Sequence, residues 1–151
     1  MPTYYEDLEI GDTQSFGDRT ISKDEIVEFA EQYDPQTYHV DEDAAEDSIF
    51  GELIASGWHT ASLCMREFVE HVADDAWLGA RGIDELRWIK PVKPGDTLSV
   101  TVEVVDKRPL EDDPSIGHVD TKLTAYNQDD EPVITWIGLG IVERKRSEGR
   151  S

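Results

Sequence analysis

One cysteine, two methionines and only 14 lysines and arginines are the scarcities of this 151-residue chain. A single thiol, Cys64, excludes an intrachain disulfide and a cysteine-based zinc site of the usual kind. No stretch approaches the roughly 18 apolar residues of a membrane span, and the N-terminus MPTYYEDLEIGD lacks the basic-then-apolar layout of a secretory signal. A soluble, cytoplasmic protein is the expectation. The shortage of basic residues is the most consequential. Against 34 Asp and Glu it leaves a formal net charge of −20. Such a field repels phosphate backbones and anionic lipid, so it argues against nucleic acid and membranes as partners. Acid excess with few lysines also suits a halophilic protein, because concentrated salt shortens the Debye length to a few ångströms. Four of the basic residues, Arg144, Lys145, Arg146 and Arg150, crowd the C-terminus. Residues 1–143 therefore read as one domain and 144–151 as a basic, flexible tail.

Hydrophobic residues make up 38% of the chain, with four Trp, five Tyr and four Phe, enough to build a single core. Residues 13–20 fit a first strand. Ser22-Lys-Asp-Glu25 forms a capping box, with Ile21 and Ile26 at the staple positions. Ile26, Phe29, Ala30 and Tyr33 recur at helical spacing, and Pro35 disfavours helical backbone at Asp34, so a helix spans 23–33. A short acidic helix capped by Asp41 covers 41–47. A longer one begins at Gly57 or Trp58 and runs to Ala73; it is apolar nearly all round in its first half and is therefore expected to be buried. After a glycine-rich loop containing Gly79 and Gly82, strands are expected at 83–90, 97–106, 117–127 and 132–143, the last, VITWIGLGIV, being a central one. Turns at Pro94-Gly95 and Asn127 to Asp130 connect them. The result is an α+β fold with an antiparallel sheet packed on the long helix.

Chemistry-bearing residues concentrate between Tyr33 and Ser62. Asp34 and His39 lie five residues apart, a spacing that Asp113 and His118 share. On a regular helix or strand the two side chains would diverge, so they converge only if Asp-Pro breaks the segment. Otherwise Asp34 is a turn residue and His39 a loop histidine. Gly57 opens the long helix, where a backbone N–H and the helix's positive end suit a carbonyl oxygen gaining charge, though a tight turn would also select glycine. Trp58 and His59 could line a pocket or pack in the core. His39, Asp41 and His59 lack a defined metal-ligand spacing, so no metal is expected. Cys64 falls on an apolar helix face, where thiols are inert.

Taken together these residues resemble the MaoC-like acyl dehydratases, relatives of the (R)-specific enoyl-CoA hydratases. The likeness runs from YYEDLEIGD through DPQTYHVDEDAA and FGELIASGWHTASL into RWIKPVKPGDTLSVTVEV. The family pairs an Asp with a His five residues on and a Gly eighteen residues after the His, positions met by Asp34, His39 and Gly57. The resemblance implies a hotdog fold, in which an antiparallel sheet wraps the long helix, and a homodimer with pockets near its interface. It implies reversible hydration of a trans-2-enoyl thioester to a 3-hydroxyacyl-CoA, as in fatty acid metabolism, without metal or redox cofactor. Asp34 would act as base toward water, His39 as its acid/base partner at Cα, and the Gly57 N–H as oxyanion donor. Ser56 and Trp58 would line the substrate site, and Arg87, Lys90 and Lys93 are the cations available for CoA phosphates. The chain departs from the hydratase motif in two places: Gln36 and Thr37 stand where Asn-Pro is usual, with the proline at position 35, and Ser56 stands where His often precedes the glycine. Two alternatives remain at this point. A hotdog thioesterase would need a carboxylate on the long helix, for which Glu67 and Glu70 are available, and a non-catalytic acyl-CoA-binding protein would show no turnover.

Overall fold

A computed structural model describes residues 2–146, in which five strands and four helices follow a short 3₁₀ turn at Tyr5–Asp7. Strand β1 (Thr13–Thr20) leads into α1 (Lys23–Tyr33), the one-turn α2 (Thr37–Val40), α3 (Glu42–Glu46) and the long α4 (Gly57–His71). Strands β2 (Trp77–Trp88), β3 (Thr97–Pro109), β4 (Ile116–Tyr126) and β5 (Pro132–Glu143) complete an antiparallel sheet in the order β1-β3-β4-β5-β2. The α+β architecture follows the expectation, and β5 is indeed interior, between β4 and β2.

Local chemistry explains the helix ends. Ser22 accepts from the Glu25 N–H at 3.1 Å while Glu25 reaches back to the Ser22 N–H, satisfying two donors at the start of α1. Asp41 caps α3 by accepting from the N–H groups of Asp43 (2.9 Å) and Ala44 (3.2 Å). Asp34 closes α1 with φ −154°, well outside helical backbone, as the following proline requires.

Strand alternation places the core. Along β3 the buried positions are Leu98, Val100, Val102 and Val104; the first three pack with Leu123 and Ala125 of β4 and Val133, Ile134 and Trp136 of β5. Ile26 of α1 and Ala61, Leu63 and Cys64 of α4 cover this layer, so α4 lies against one face of the sheet. A smaller cluster of Tyr5, Leu8, Ala76, Val104, Val119 and Val142 closes one end.

Three expectations change. The segment around Gly79 and Gly82 is not a loop but the first half of β2, which pairs with β5 through three register shifts. Gly82 adopts φ +154°, the glycine-specific backbone that a bulge uses to turn an edge strand. Second, α4 is buried on one side only: Trp58, Met65 and Val69 are exposed, because the sheet covers a single face of the helix. Third, the tail begins in ordered contact. Arg144 donates to Glu6 at 2.8 Å and Lys145 pairs with Asp7 at 2.6 Å, while residues 147–151 lie outside the described part. No helix of the described residues is long and apolar enough to cross a membrane.

Leu123 is fully buried in the main cluster. Leu123→Ala is expected to lower stability by about 2–5 kcal/mol, read from the midpoint of urea unfolding.

Candidate active site

The break at Asp34-Pro35 brings the motif residues together. Instead of continuing helically, the chain extends at Asp34 and re-enters a single turn at Thr37–Val40, which swings His39 back toward the carboxylate. His39 Nε2 lies 3.4 Å from Asp34 Oδ2. The other ring nitrogen, Nδ1, is 2.7 Å from the Ile54 carbonyl oxygen in a buried setting. A carbonyl only accepts, so Nδ1 carries the proton and, in the neutral ring, Nε2 presents its lone pair toward Asp34. Asp113 and His118 share the spacing without sharing the geometry: the Asp113 carboxylate accepts from the Ser115 backbone, and His118 lies on β4.

Both oxygens of Asp34 are supplied with donors. The Ser56 hydroxyl donates to Oδ2 at 2.7 Å and Gln36 Nε2 donates to Oδ1 at 2.8 Å. Burial by itself pushes the Asp34 carboxyl up, but the hydrogen bonds from Ser56 and Gln36, joined by the charge of His39 when that ring is protonated, outweigh it, so its pKa falls below the ordinary value. Asp34 is thus held as a carboxylate.

Ser56 is also the N-cap of α4, its Oγ accepting from the Trp58 N–H at 3.2 Å. Gly57 follows as the first helical residue, so its own N–H lies outside the helical ladder at the positive end of a 15-residue helix. A side chain at position 57 would run into the indole of Trp88. Trp88 and Trp58 meet edge to face, with centroids 5.2 Å apart, and both are about half exposed.

These groups border one cavity of about 480 Å³. Asp34, Gln36, Tyr38 and His39 form its polar side, Gly57, Trp58 and Thr60 the α4 end, and Phe50, Ile54, Trp88, Ile89, Pro91, Val92 and Val133 its apolar walls. The sequence-derived set is therefore divided. Asp34, His39, Gly57, Trp58 and Lys90 border the cavity. Ser56, expected to line the substrate site, is fully buried, and its hydroxyl is committed to Asp34 and the Trp58 N–H. Arg87 and Lys93 do not border the cavity either: Arg87 donates to the Leu86 carbonyl at 2.8 Å, and Lys93 pairs with Glu52 at 3.2 Å. Gln36 and Tyr38 were missed as site residues; the departure from the usual Asn-Pro was the signal that pointed to that stretch.

Other candidates take structural places. His59 stacks on Phe29 at 4.7 Å, buried, and its pKa falls because burial disfavours the charged ring. His39, Asp41 and His59 face different neighbours: the Asp34 carboxylate, the Asp43 N–H and the Phe29 ring. Among the described residues, Glu67, Glu70 and His71 bring ligand atoms within 4.8 Å of one another, on the last turns of α4 and outside the cavity. The Cys64 thiol is pushed up to about 12 by burial and by the charge of Glu67, which makes it inert at neutral pH.

Ser56→Ala removes both a helix cap and a donor to Asp34. Urea unfolding at neutral pH should show a loss of about 0.5–2 kcal/mol. Because the folded pKa of Asp34 is lowered, its contribution to stability is present above the unfolded value of about 3.9 and is lost as pH falls through the folded one. In the variant, a ¹³C NMR titration should place the Asp34 midpoint higher, and this acid-side contribution should shrink.

Comparison with known proteins bears on the family and the fold. The family model described as a MaoC like domain matches residues 7–127. The Bacillus subtilis protein YdeM is 38% identical over 110 residues, covering 72% of this chain and 76% of its own length. The (R)-specific enoyl-CoA hydratase of Rhodospirillum rubrum is 33% identical over 105 residues, covering 67% of this chain and 69% of its own. The crystal structure of a MaoC-like dehydratase from the same organism superposes with a TM-score of 0.87 at 34% identity, covering 95% of this chain and 98% of that one. The sheet with α4 against one face is the hotdog fold. With the family model spanning most of its length and the dyad segment inside the match, the chain belongs to the MaoC-like hydratase/dehydratase family.

Proposed function

We propose that this protein is a hydro-lyase that reversibly adds water across the double bond of a trans-2-enoyl-CoA, giving a 3-hydroxyacyl-CoA. The observation that carries this reading is the 3.4 Å approach of the Asp34 carboxylate to His39 Nε2, in a cavity that also borders Gly57 at the start of α4. A water hydrogen-bonded to both Asp34 and His39 Nε2, on the cavity side of the pair, can give up a proton while its oxygen attacks C3. Asp34 accepts that proton, the C3–O bond forms, and the double-bond electrons move onto the thioester oxygen. The Gly57 N–H and the end of α4 stabilise this enolate. The proton passes from Asp34 to His39 Nε2 and then to Cα as the enolate collapses. One water is consumed, and the pair ends in its starting charge state.

The walls of Phe50, Ile54, Trp88, Ile89, Val92 and Val133 suit an apolar acyl chain. Lys90 borders the cavity and pairs with Glu131 at 2.6 Å, making it the cation best placed to meet a CoA phosphate. A thioesterase reading is disfavoured by position: Glu67 is buried, Glu70 pairs with Arg66 at 2.7 Å, and neither borders the cavity. A homodimer is part of the proposal. Strand β2 is a sheet edge, and Ile83 on it borders one apolar depression with Met65 and Val69 of α4, all three exposed, a surface that a second copy would cover.

The test is a panel of trans-2-enoyl-CoAs assayed at high salt for hydroxyacyl-CoA formation and for free thiol. Wild type should form the hydroxyacyl product without thiol release. Asp34→Asn and His39→Ala should each lose at least about 10²-fold in kcat; normal rates in both would sink the assignment, and thiol release would favour the thioesterase. Light scattering on the eluting protein should give the mass of two chains, and charged substitutions at Ile83 and Val69 should shift it toward one.

A further inference from the structure

Gln36 and Tyr38 have no part in the proton transfers above, yet they form an unbroken hydrogen-bond chain to the base. The Tyr38 hydroxyl donates to Gln36 Oε1 at 2.6 Å, and Gln36 Nε2 donates to Asp34 Oδ1 at 2.8 Å. The directions are forced. A carboxylate only accepts, so the amide must turn its NH₂ toward Asp34, and its oxygen then faces Tyr38, whose hydroxyl becomes the donor. Tyr38 thereby fixes which way the amide points. With that hydroxyl gone, the amide is free to rotate and set its own oxygen against the carboxylate, two acceptors face to face.

Tyr38 is itself held on two sides. Its ring meets the His39 ring edge-on, with centroids 4.4 Å apart, and tilts against Phe50 at 5.1 Å. One residue therefore touches the imidazole with its ring and reaches the carboxylate through Gln36. On the Asp34 side the two oxygens divide their partners: Oδ2 accepts from Ser56 and faces His39, while Oδ1 accepts from Gln36. Rotation of the carboxylate about Cβ–Cγ would break both hydrogen bonds at once.

We propose that Tyr38 and Gln36 are a positioning unit that holds the Asp34 carboxylate ionised and in one rotation, keeping Oδ2 toward His39. The role in catalysis rests on the reading of Asp34 and His39 as the proton-transfer pair. Neither Tyr38 nor Gln36 is asked to touch a reacting atom.

Two substitutions and their combination test it. Tyr38→Phe removes the hydroxyl and keeps the ring against His39 and Phe50; Gln36→Leu removes the amide and keeps much of its bulk. Each should lower kcat by about tenfold, the scale of a hydrogen bond to a charged group, and the loss should fall on kcat more than on KM because the group each disturbs is the Asp34 carboxylate. In both, the Asp34 midpoint in a ¹³C NMR titration should rise. The double variant should be no worse than Gln36→Leu alone, since the hydroxyl acts through the amide. Gln36→Glu, which sets a second carboxylate beside the first, should raise the midpoint furthest. An unchanged midpoint in Gln36→Leu, or losses that add in the double variant, would overturn the proposal. The titration requires no substrate. If Asp34→Asn keeps full turnover, the proton-transfer reading fails while the titration still decides whether the unit holds the carboxylate; if Asp34→Asn is inactive and Gln36→Leu is normal, the positioning unit alone fails.

Discussion

The hydroxyl of Ser56 joins the two halves of the site. It donates to Asp34 and accepts from the Trp58 N–H, so one buried oxygen ties the carboxylate at the end of α1 to the first turn of α4. With no exposure to solvent, Ser56 has no water to replace either partner. Losing one would leave a polar group buried and unpaired, which costs more than the bond itself contributes. That asymmetry holds together the two segments that carry Asp34 and Gly57.

The remaining geometry follows from packing. Helix α4 lies on the sheet through Ala61, Leu63 and Cys64, which places its N-terminus beside the loop from Leu53 to Ser56. His39 is positioned by that same loop, through the carbonyl of Ile54, and the N–H of Ile54 in turn bonds the Tyr38 carbonyl at 3.2 Å. Trp88, at the end of the edge strand, closes over Gly57. Strand end, helix start and loop thus meet at one point, and the side chains there are held from several directions. Such support suits the proposed proton-transfer role of Asp34 and His39, because small displacements of reacting groups are costly in rate.

Charge acts on a different scale. The described cations are mostly neutralised locally: Lys90 by Glu131, Lys93 by Glu52, Arg108 by Asp106 and Asp120, Lys145 by Asp7. In a chain of net charge −20 an acid is seldom far from any cation. These exposed pairs contribute little to stability individually and are screened by salt. Of the three cations considered for CoA phosphates, Lys90 borders the cavity beside Asp34 and His39, whereas Arg87 and Lys93 do not.

Much of this was legible in the residues. The capping box at Ser22, the proline that ends α1, the alternation along β3 and the glycine that opens α4 are local rules with short reach, and the folded chain obeys them. The glycine-rich half of β2 was not legible, because a bulged edge strand is held by its partner β5 rather than by its own pattern. Nor was the half-exposure of α4, since apolar residues all round a helix do not say which of them the sheet will reach. At the site, the sequence by itself determined that Asp34, His39 and Gly57 belong together as a motif, and that Pro35 breaks the helix between the first two. Only the tertiary structure decided that Ser56 braces the Asp34 carboxylate instead of lining the cavity, that Arg87 and Lys93 stand apart from it, and that Gln36 and Tyr38 reach Asp34. Hydrogen-bond partners 22 residues apart, as Ser56 and Asp34 are, become neighbours through packing alone. Side chains have two faces to offer, and the fold chooses between them.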